Sequence, residues 1–425
     1  MNILNLLTTS SNYYTVGVAP IEVGDLNFIG KIIGWIFDLF SNFYGAVALG
    51  VILFTLALKT LVLPLDIYSR VKTKKQSLLM KRMRPQMEKL QKQYSNDKNM
   101  YQQKVMELQK ANGYNPLGAC LPMIVSLVIF MVVLSSFSTY SNYSILRDYS
   151  EMVKEFNNTV NEFVMTDVND ENNKHFLSAV EGQENTVYTV DFERFEKYYA
   201  EEVQPDSEKS VFDGLTTEQD MWEVVANHIE LQARIDAAYW YRHNNNGTHF
   251  GWIGNLWYPD SMLNKAVPEY SKFTSATTRA GVTVSKADYE NVTFNLNLPD
   301  PENPDATPEM QRYNGYFVLI VLSIGLMFLQ QFIMMRSQKD ANELSSVDGS
   351  AAKTNKWMMF LMPVMFGVFS FMYSAAFSIY MITNTLYGLI TTLIINKVVT
   401  VRFEKQPVKT ASSNRPTSKA KRLKK

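Results

Sequence analysis

Lys59 is the residue best placed to do chemistry. It stands in the run Tyr44–Leu65, which holds no other charge. An ammonium at mid-membrane costs on the order of 2.5–3.5 kcal/mol by insertion scales, so a charge kept there marks function by default. Thr55 and Thr60 share its segment, and Ser126, Gln330, Gln331, Tyr380, Thr383 and Asn384 are polar positions in other apolar runs. These nine residues could line one hydrophilic groove or cavity. Snorkelling is the other reading: Lys59 precedes Leu65 by six residues, about 9 Å of helical rise, and a Lys stem can span most of that distance to the headgroups. Physics alone leaves both open. Other chemistry has little to work with. Cys120 is the only cysteine and His175, His228, His243 and His249 are scattered, so no intrachain disulfide or multi-Cys metal site can form. No Gly-rich phosphate loop, paired carboxylates or nucleophile elbow stands out, and neither a cofactor nor enzymatic activity is expected. A secondary transporter using Lys59 is the alternative, weakened by the lack of a visible repeat or of a matching pair of broken segments.

Holding such residues in place calls for helices in a bilayer. The 425-residue chain has a formal net charge of +0, yet its charges are sorted into blocks. Residues 66–116 hold 12 Lys/Arg against 4 Asp/Glu, residues 141–313 hold 13 against 30, and residues 397–425 hold 10 against 1. Basic blocks flanking apolar runs are the positive-inside pattern. A span needs about 20 apolar residues, and the charge-poor runs predict five: 44–65, 117–139, 315–335, 357–373 and 377–396. The last two come from forty residues without a charge, Trp357 to Asn396, with Ser374-Ala375-Ala376 as the hairpin between them. Only helices satisfy the backbone across each. Placing the basic blocks in the cytoplasm puts the N-terminal segment 1–43 and the acidic segment 140–314 outside, with the loop 336–356 and the tail 397–425 inside.

Three segments lie beyond the spans. In 26–41, Leu26, Ile29, Ile32, Ile33, Ile36, Phe37 and Phe40 share one helical face opposite Asn27, Lys31, Gly34, Asp38 and Ser41, which predicts an amphipathic helix lying on the outer leaflet. Segment 66–116 repeats Leu79, Met83, Met87, Leu90 and Tyr94, then Tyr101, Val105 and Leu108, at helical spacing. This predicts an antiparallel hairpin of helices 68–94 and 98–112, with Pro85 kinking or restarting the first. Either the hairpin only fixes topology, or it offers a mobile, basic surface whose Met80, Met83 and Met87 meet apolar clients. Segment 140–314 reads as an α+β domain. Helical periodicity covers Glu151–Val164 and Thr217–Arg242, while Val282–Val284 and Asn291–Leu298 alternate like strands.

Five strings carry a resemblance: NPLGACLPMI (115–124) after a basic hairpin, WIGNLWYPD (252–260), MFLQQ (327–331), MMFLMPVMFGVFSF (358–371) and SIYMITNTLYGLI (378–390). In this order and spacing the chain resembles the YidC membrane-protein insertase family of the Oxa/Alb superfamily, over roughly 44–140 and 315–397. The resemblance implies an all-α polytopic membrane protein, a five-span insertase-like bundle with a cytoplasmic helical hairpin and an inserted extracytoplasmic α+β domain. It also implies an insertase and chaperone of the bacterial cytoplasmic membrane, working without catalytic chemistry through a wet groove open to cytoplasm and lipid. Lys59 stands where the family pattern has Arg, keeping the charge but not the bidentate fork. Ser126, Val128 and Met381 replace a usual Gln, Pro and aromatic. The partners implied are nascent membrane proteins, the ribosome and the general secretion translocase. The tail residues Lys419, Lys421, Arg422, Lys424 and Lys425 suit ribosomal RNA or anionic lipid.

Overall fold

The computed structural model describes residues 13–26, 28–38, 46–112, 117–166, 172–180, 186–207, 209–337 and 350–404. The helices are α1 (Phe28–Asp38), α2 (Ala46–Gln93), α3 (Lys98–Ala111), α4 (Leu117–Asn161), α5 (Phe192–Tyr198), α6 (Glu218–Asn244), α7 (Tyr270–Ala280), α8 (Lys286–Val292), α9 (Val318–Ser337), α10 (Ser350–Met372) and α11 (Ala375–Glu404). Three short strands, β1 (Tyr14–Thr15), β2 (Leu177–Ala179) and β3 (Val187–Val190), form an antiparallel sheet of order β1-β3-β2. The register places Tyr14 against Tyr188 and Leu177 against Val190. Four helices among the described residues are long and apolar enough to cross a membrane: Ala46–Gln93, Val128–Asn161, Val318–Arg336 and Ala375–Val401. The segment expected as a further span, 357–373, falls on α10, whose described apolar stretch Pro363–Met372 is shorter. The chain divides into two units, one of residues 1–50, 136–317 and 373–376, the other of 51–135, 318–372 and 377–425.

The first unit is built on the second half of α4. Phe137, Tyr140, Tyr149, Met152, Val153, Phe156 and Val160 recur at helical spacing and are buried. On α6, Trp222, Val225, Ile229, Ala233, Ala237 and Tyr241 do the same. Thr159 Oγ1 ties the two helices by donating to Asp236 Oδ2 at 2.8 Å. The stretch before α1 is held to α4 by Asn157, which accepts from Val18 N at 3.0 Å and donates to Val18 O at 2.7 Å.

The string WIGNLWYPD is a structural clasp in this unit. Asn314 Nδ2 donates to Asn255 O and Pro259 O, both at 2.9 Å, while its Oδ1 accepts from Asn255 N at 2.7 Å. Asp260 Oδ1 accepts from Tyr316 N at 2.8 Å. The backbone N–H groups of Ala375 and Ala376 donate to Tyr258 O and Leu256 O. The hairpin guessed at 374–376 is thus stitched to this motif.

Three sequence expectations change here. Val282–Val284 is not a strand, and Asn291–Leu298 begins at the end of α8 and continues into a 3-10 turn. Ser285 caps α8 by accepting from Asp288 N, and the buried Tyr289, Val292 and Leu296 follow helical rather than alternate spacing. The helix expected at 26–41 is described over Phe28–Asp38. Ile33 is fully buried, but Ile32 and Trp35 are exposed. Gly34, expected on the polar side, lies so close to the Tyr140 ring that a Cβ there would come within 3.2 Å. Phe40 and Ser41 lie outside the described residues. Finally, Pro64 and Pro85 both sit inside an unbroken α2, so Pro85 does not restart the helix.

The second unit contains the hairpin of α2 and α3. Asp97 caps α3 by accepting from Met100 N. Met80, Met83 and Met87 are almost fully buried and form one core with Tyr101 and Val105, flanked by Leu79, Leu90, Tyr94 and Leu108. Their assignment as client-facing residues is corrected: a flexible thioether fills the irregular gap between the two helices of the hairpin. Within the hairpin, the methionines that reach solvent are Met100 and Met106 on α3. Elsewhere in this unit Gly367 lets α10 approach α9, because a Cβ would stand 2.7 Å from Ile324 Cδ1. Phe130 sits edge-on to Phe366 with centroids 4.9 Å apart. Leu61, Val321, Trp357 and Met372 each expose two thirds or more of their surface, as faces solvated by lipid do.

Candidate functional site: a polar stripe on the second helix

α2 turns 100° per residue, so positions i, i+7 and i+11 fall within about 20° of one line. Lys59, Asp66 and Arg70 occupy those positions. All three are partly buried. Lys59 makes no hydrogen bond or ion pair among the described residues, and its ammonium feels the charges of Asp66 and Arg70. Thr55, one turn earlier on the same face, is fully buried. Its hydroxyl donates to Val51 O at 2.6 Å and is therefore spent on its own helix. Thr60 also bonds within α2, to Leu56 O at 2.8 Å, and points to an exposed face. It does not belong to the stripe.

Arg70 is where the helices converge. Its Nη1 donates to Thr392 Oγ1 on α11, and its Nη2 lies 3.5 Å from Asp66 Oδ2. Thr392 Oγ1 in turn donates to Gly388 O at 2.7 Å. A Cβ on Gly388 would stand 3.2 Å from Gln330 Nε2 on α9 and 3.3 Å from Arg70 Nη2. Gln330 is thus brought to this cluster. Its neighbour Gln331 keeps a buried Oε1 with no hydrogen-bond partner among the described residues. On α11, Tyr380 is buried and Thr383 and Asn384 are partly buried. Tyr380, Asn384, Gly388 and Thr392 follow one another at intervals of four and share a side of α11. The Ser126 side chain and the residues Lys419, Lys421, Arg422, Lys424 and Lys425 lie outside the described residues.

Asp66, Arg70, Gly388 and Thr392 were absent from the sequence reading of the site. The signal was present in the seven- and eleven-residue spacing from Lys59. Ending the first span at Leu65 had assigned both charges to the hairpin. No group of three His, Cys, Asp or Glu side chains able to hold a metal occurs among the described residues.

The family model described as "60Kd inner membrane protein" matches residues 39–188 and 241–402. That takes in α2, α3, α4 and α9 to α11, while residues 189–240 stand outside it. The chain is 32% identical to a membrane protein insertase YidC of Fusobacterium nucleatum over 107 residues, 25% of this chain and 50% of that protein. It is 31% identical to the protein of the same name in Francisella philomiragia over 111 residues, 26% of this chain and 19% of that protein. A third, from Francisella tularensis subsp. novicida, is 32% identical over 111 residues with the same coverage. The chain thus spans half or less of the length of these relatives. No solved structure matches it. With this family match over most of its length and its long apolar helices, the chain is a multi-pass membrane protein and belongs to the 60Kd inner membrane protein family, the family of the YidC insertases.

Proposed function

We propose that the chain inserts small membrane proteins into the bilayer and helps them fold. The carrying observation is the partly buried stripe of Lys59, Asp66 and Arg70, set among helices whose other faces are apolar and exposed. A client's polar outer segment must cross about 30 Å of hydrocarbon. A groove wetted from the cytoplasm shortens that path and lowers the desolvation cost of the segment. Lys59 attracts acidic residues of the segment, and the client span then leaves sideways into lipid as its apolar surface is buried. Nothing in this cycle requires a nucleotide. In this reading five spans run N-out to C-in through the bacterial cytoplasmic membrane. The hairpin surface and basic tail meet ribosome or anionic lipid, and the general secretion translocase is a further partner.

Reconstitution in vesicles tests the reading. A single-span client with an acidic outer segment should become protease-protected only in vesicles holding the chain. Lys59→Arg should keep that protection, whereas Lys59→Glu should lower it at least tenfold, about 1.4 kcal/mol of charge interaction. Equal protection with the wild-type, Arg and Glu forms would remove Lys59 from the mechanism. No protection with the wild-type chain would end the insertase reading.

A further inference from the structure

We propose that Arg70 is a second basic station for the client, and that Asp66 is the resident carboxylate an acidic client residue displaces. This rests on the insertase reading. It deepens that reading by naming a specificity residue 11 positions along α2 from Lys59.

The Arg70 guanidinium is only partly used. Nη1 is taken by Thr392. Nη2 meets Asp66 at 3.5 Å through one oxygen, at the far edge of hydrogen-bonding range. Nε is buried and has no partner among the described residues. A well-made Arg–carboxylate pair has two parallel bonds at about 2.7–2.9 Å. Asp66, four residues earlier on the same helix, makes only the single long contact and leaves Nε unsatisfied. Gly388 packs close against the guanidinium, and any side chain there would crowd Arg70 Nη2 and Gln330 Nε2. The cluster therefore has a fixed cation with an unsatisfied Nε and a loosely held internal anion.

The occupant that fits is a carboxylate: flat, singly charged and two-pronged. A lipid phosphate carries the same kind of anionic oxygens, but the position favours a peptide. The Arg70 and Asp66 side chains are only 23% and 15% exposed, with α9 and α11 around them, and they continue the line of Lys59. An acidic residue arriving along the stripe would reach Arg70 about 16 Å of helical rise from Lys59, far enough for one extended segment to touch both. While Asp66 holds the guanidinium, a segment with no carboxylate gains nothing from displacing it, so the pair discriminates by charge.

The test uses the full chain in vesicles with two clients, one with an acidic outer segment and one with those residues changed to Asn and Gln. Arg70→Gln should lower insertion of the acidic client about fivefold more than that of the neutral one, and Arg70→Lys, which keeps charge without a fork, should fall between. Asp66→Asn should raise insertion of the acidic client. Gly388→Val should act like Arg70→Gln. A lipid site would instead make the Arg70→Gln defect depend on the vesicles' anionic lipid and not on client charge, which overturns the proposal. So would equal loss for both clients, since Arg70 would then only clamp α2 to α11. If the wild-type chain inserts neither client, the insertase reading falls and this falls with it. If it inserts both and only the Arg70 variants behave alike, this proposal alone is lost.

Discussion

Asn314 and Arg70 are both enclosed polar side chains, one in each unit, and their surroundings differ. Every strong hydrogen-bonding capacity of Asn314 is met: two donations to backbone oxygens and one acceptance from a backbone N–H. Arg70 has a bond to Thr392, one long ion pair and a buried Nε with no hydrogen-bond partner among the described residues. A completed polar network rigidifies, because each partner would leave an unsatisfied group if it moved. An incomplete one stands ready for an exchange of partners. The motif WIGNLWYPD, however prominent in the sequence, belongs to the first kind. The stripe on α2 belongs to the second.

The largest effect should come from filling the space inside the clasp. A Cβ at residue 315 would overlap Asp260 Oδ1 and lie 2.9 Å from Asp260 Cα. Gly315→Ala should therefore lower the stability of the first unit by about 3 kcal/mol, the upper end of ordinary overpacking. Thermal unfolding in detergent followed by tryptophan fluorescence reads this, since Trp252 and Trp257 both lie in the clasp. An unchanged midpoint would mean that Asp260 moves aside freely and that the network is less rigid than its bonds suggest. Next comes the hairpin. Met87 is fully buried whereas Met106 is 52% exposed. Met87→Ala should open the α2–α3 hairpin to protease with a loss of about 3 kcal/mol, and Met106→Ala should stay within about 0.5 kcal/mol. Equal sensitivity at both sites would return Met87 to the surface role first read for it.

How much could be read in advance follows from which signals are local. Freedom from charge over twenty residues is local, and it located the long apolar helices. The spacing of Tyr101, Val105 and Leu108 is local too, and those residues lie on the inner face of α3. The sheet is not local: β1 pairs with β3 across some 170 residues, through strands of two to four residues, too short for any alternation to show. The stretch 282–298 misled because a few alternating apolar residues fit a helix cap and turn as well as a strand. Met80, Met83 and Met87 were assigned outward because the hairpin was read by its charge, yet a helix in a hairpin must bury one face whatever the other carries. In the site, Lys59 stood out as a charge in an apolar run. Arg70 did not, because its environment is made by Gly388 and Thr392, more than 300 residues away.

The smallest effect would sharpen the contrast within the first unit, where one enclosed polar group has no completed network. Asp148 on α4 is buried beside Tyr241 and Tyr258, and among the described residues its one hydrogen bond is a 3.5 Å contact from Arg147 Nη2. Burial raises its carboxyl from 3.8 to about 6, against the lowering influence of Arg147. A pKa higher in the folded state means that folding favours the protonated form. The associated stability is fully present below about pH 3.8 and is lost as pH rises through about 6. Across that interval the change is on the order of 2–3 kcal/mol, since each pKa unit is about 1.4 kcal/mol. Asp148→Asn cannot ionise, so it should abolish this alkaline loss and make the first unit more stable than wild type at pH 8, with little difference at pH 4. Unfolding midpoints across pH 4–8 would show it. A wild-type profile parallel to that of the Asn variant would mean that Arg147 or water already satisfies the ionised carboxylate, and Asp148 would then join Asn314 among the completed networks.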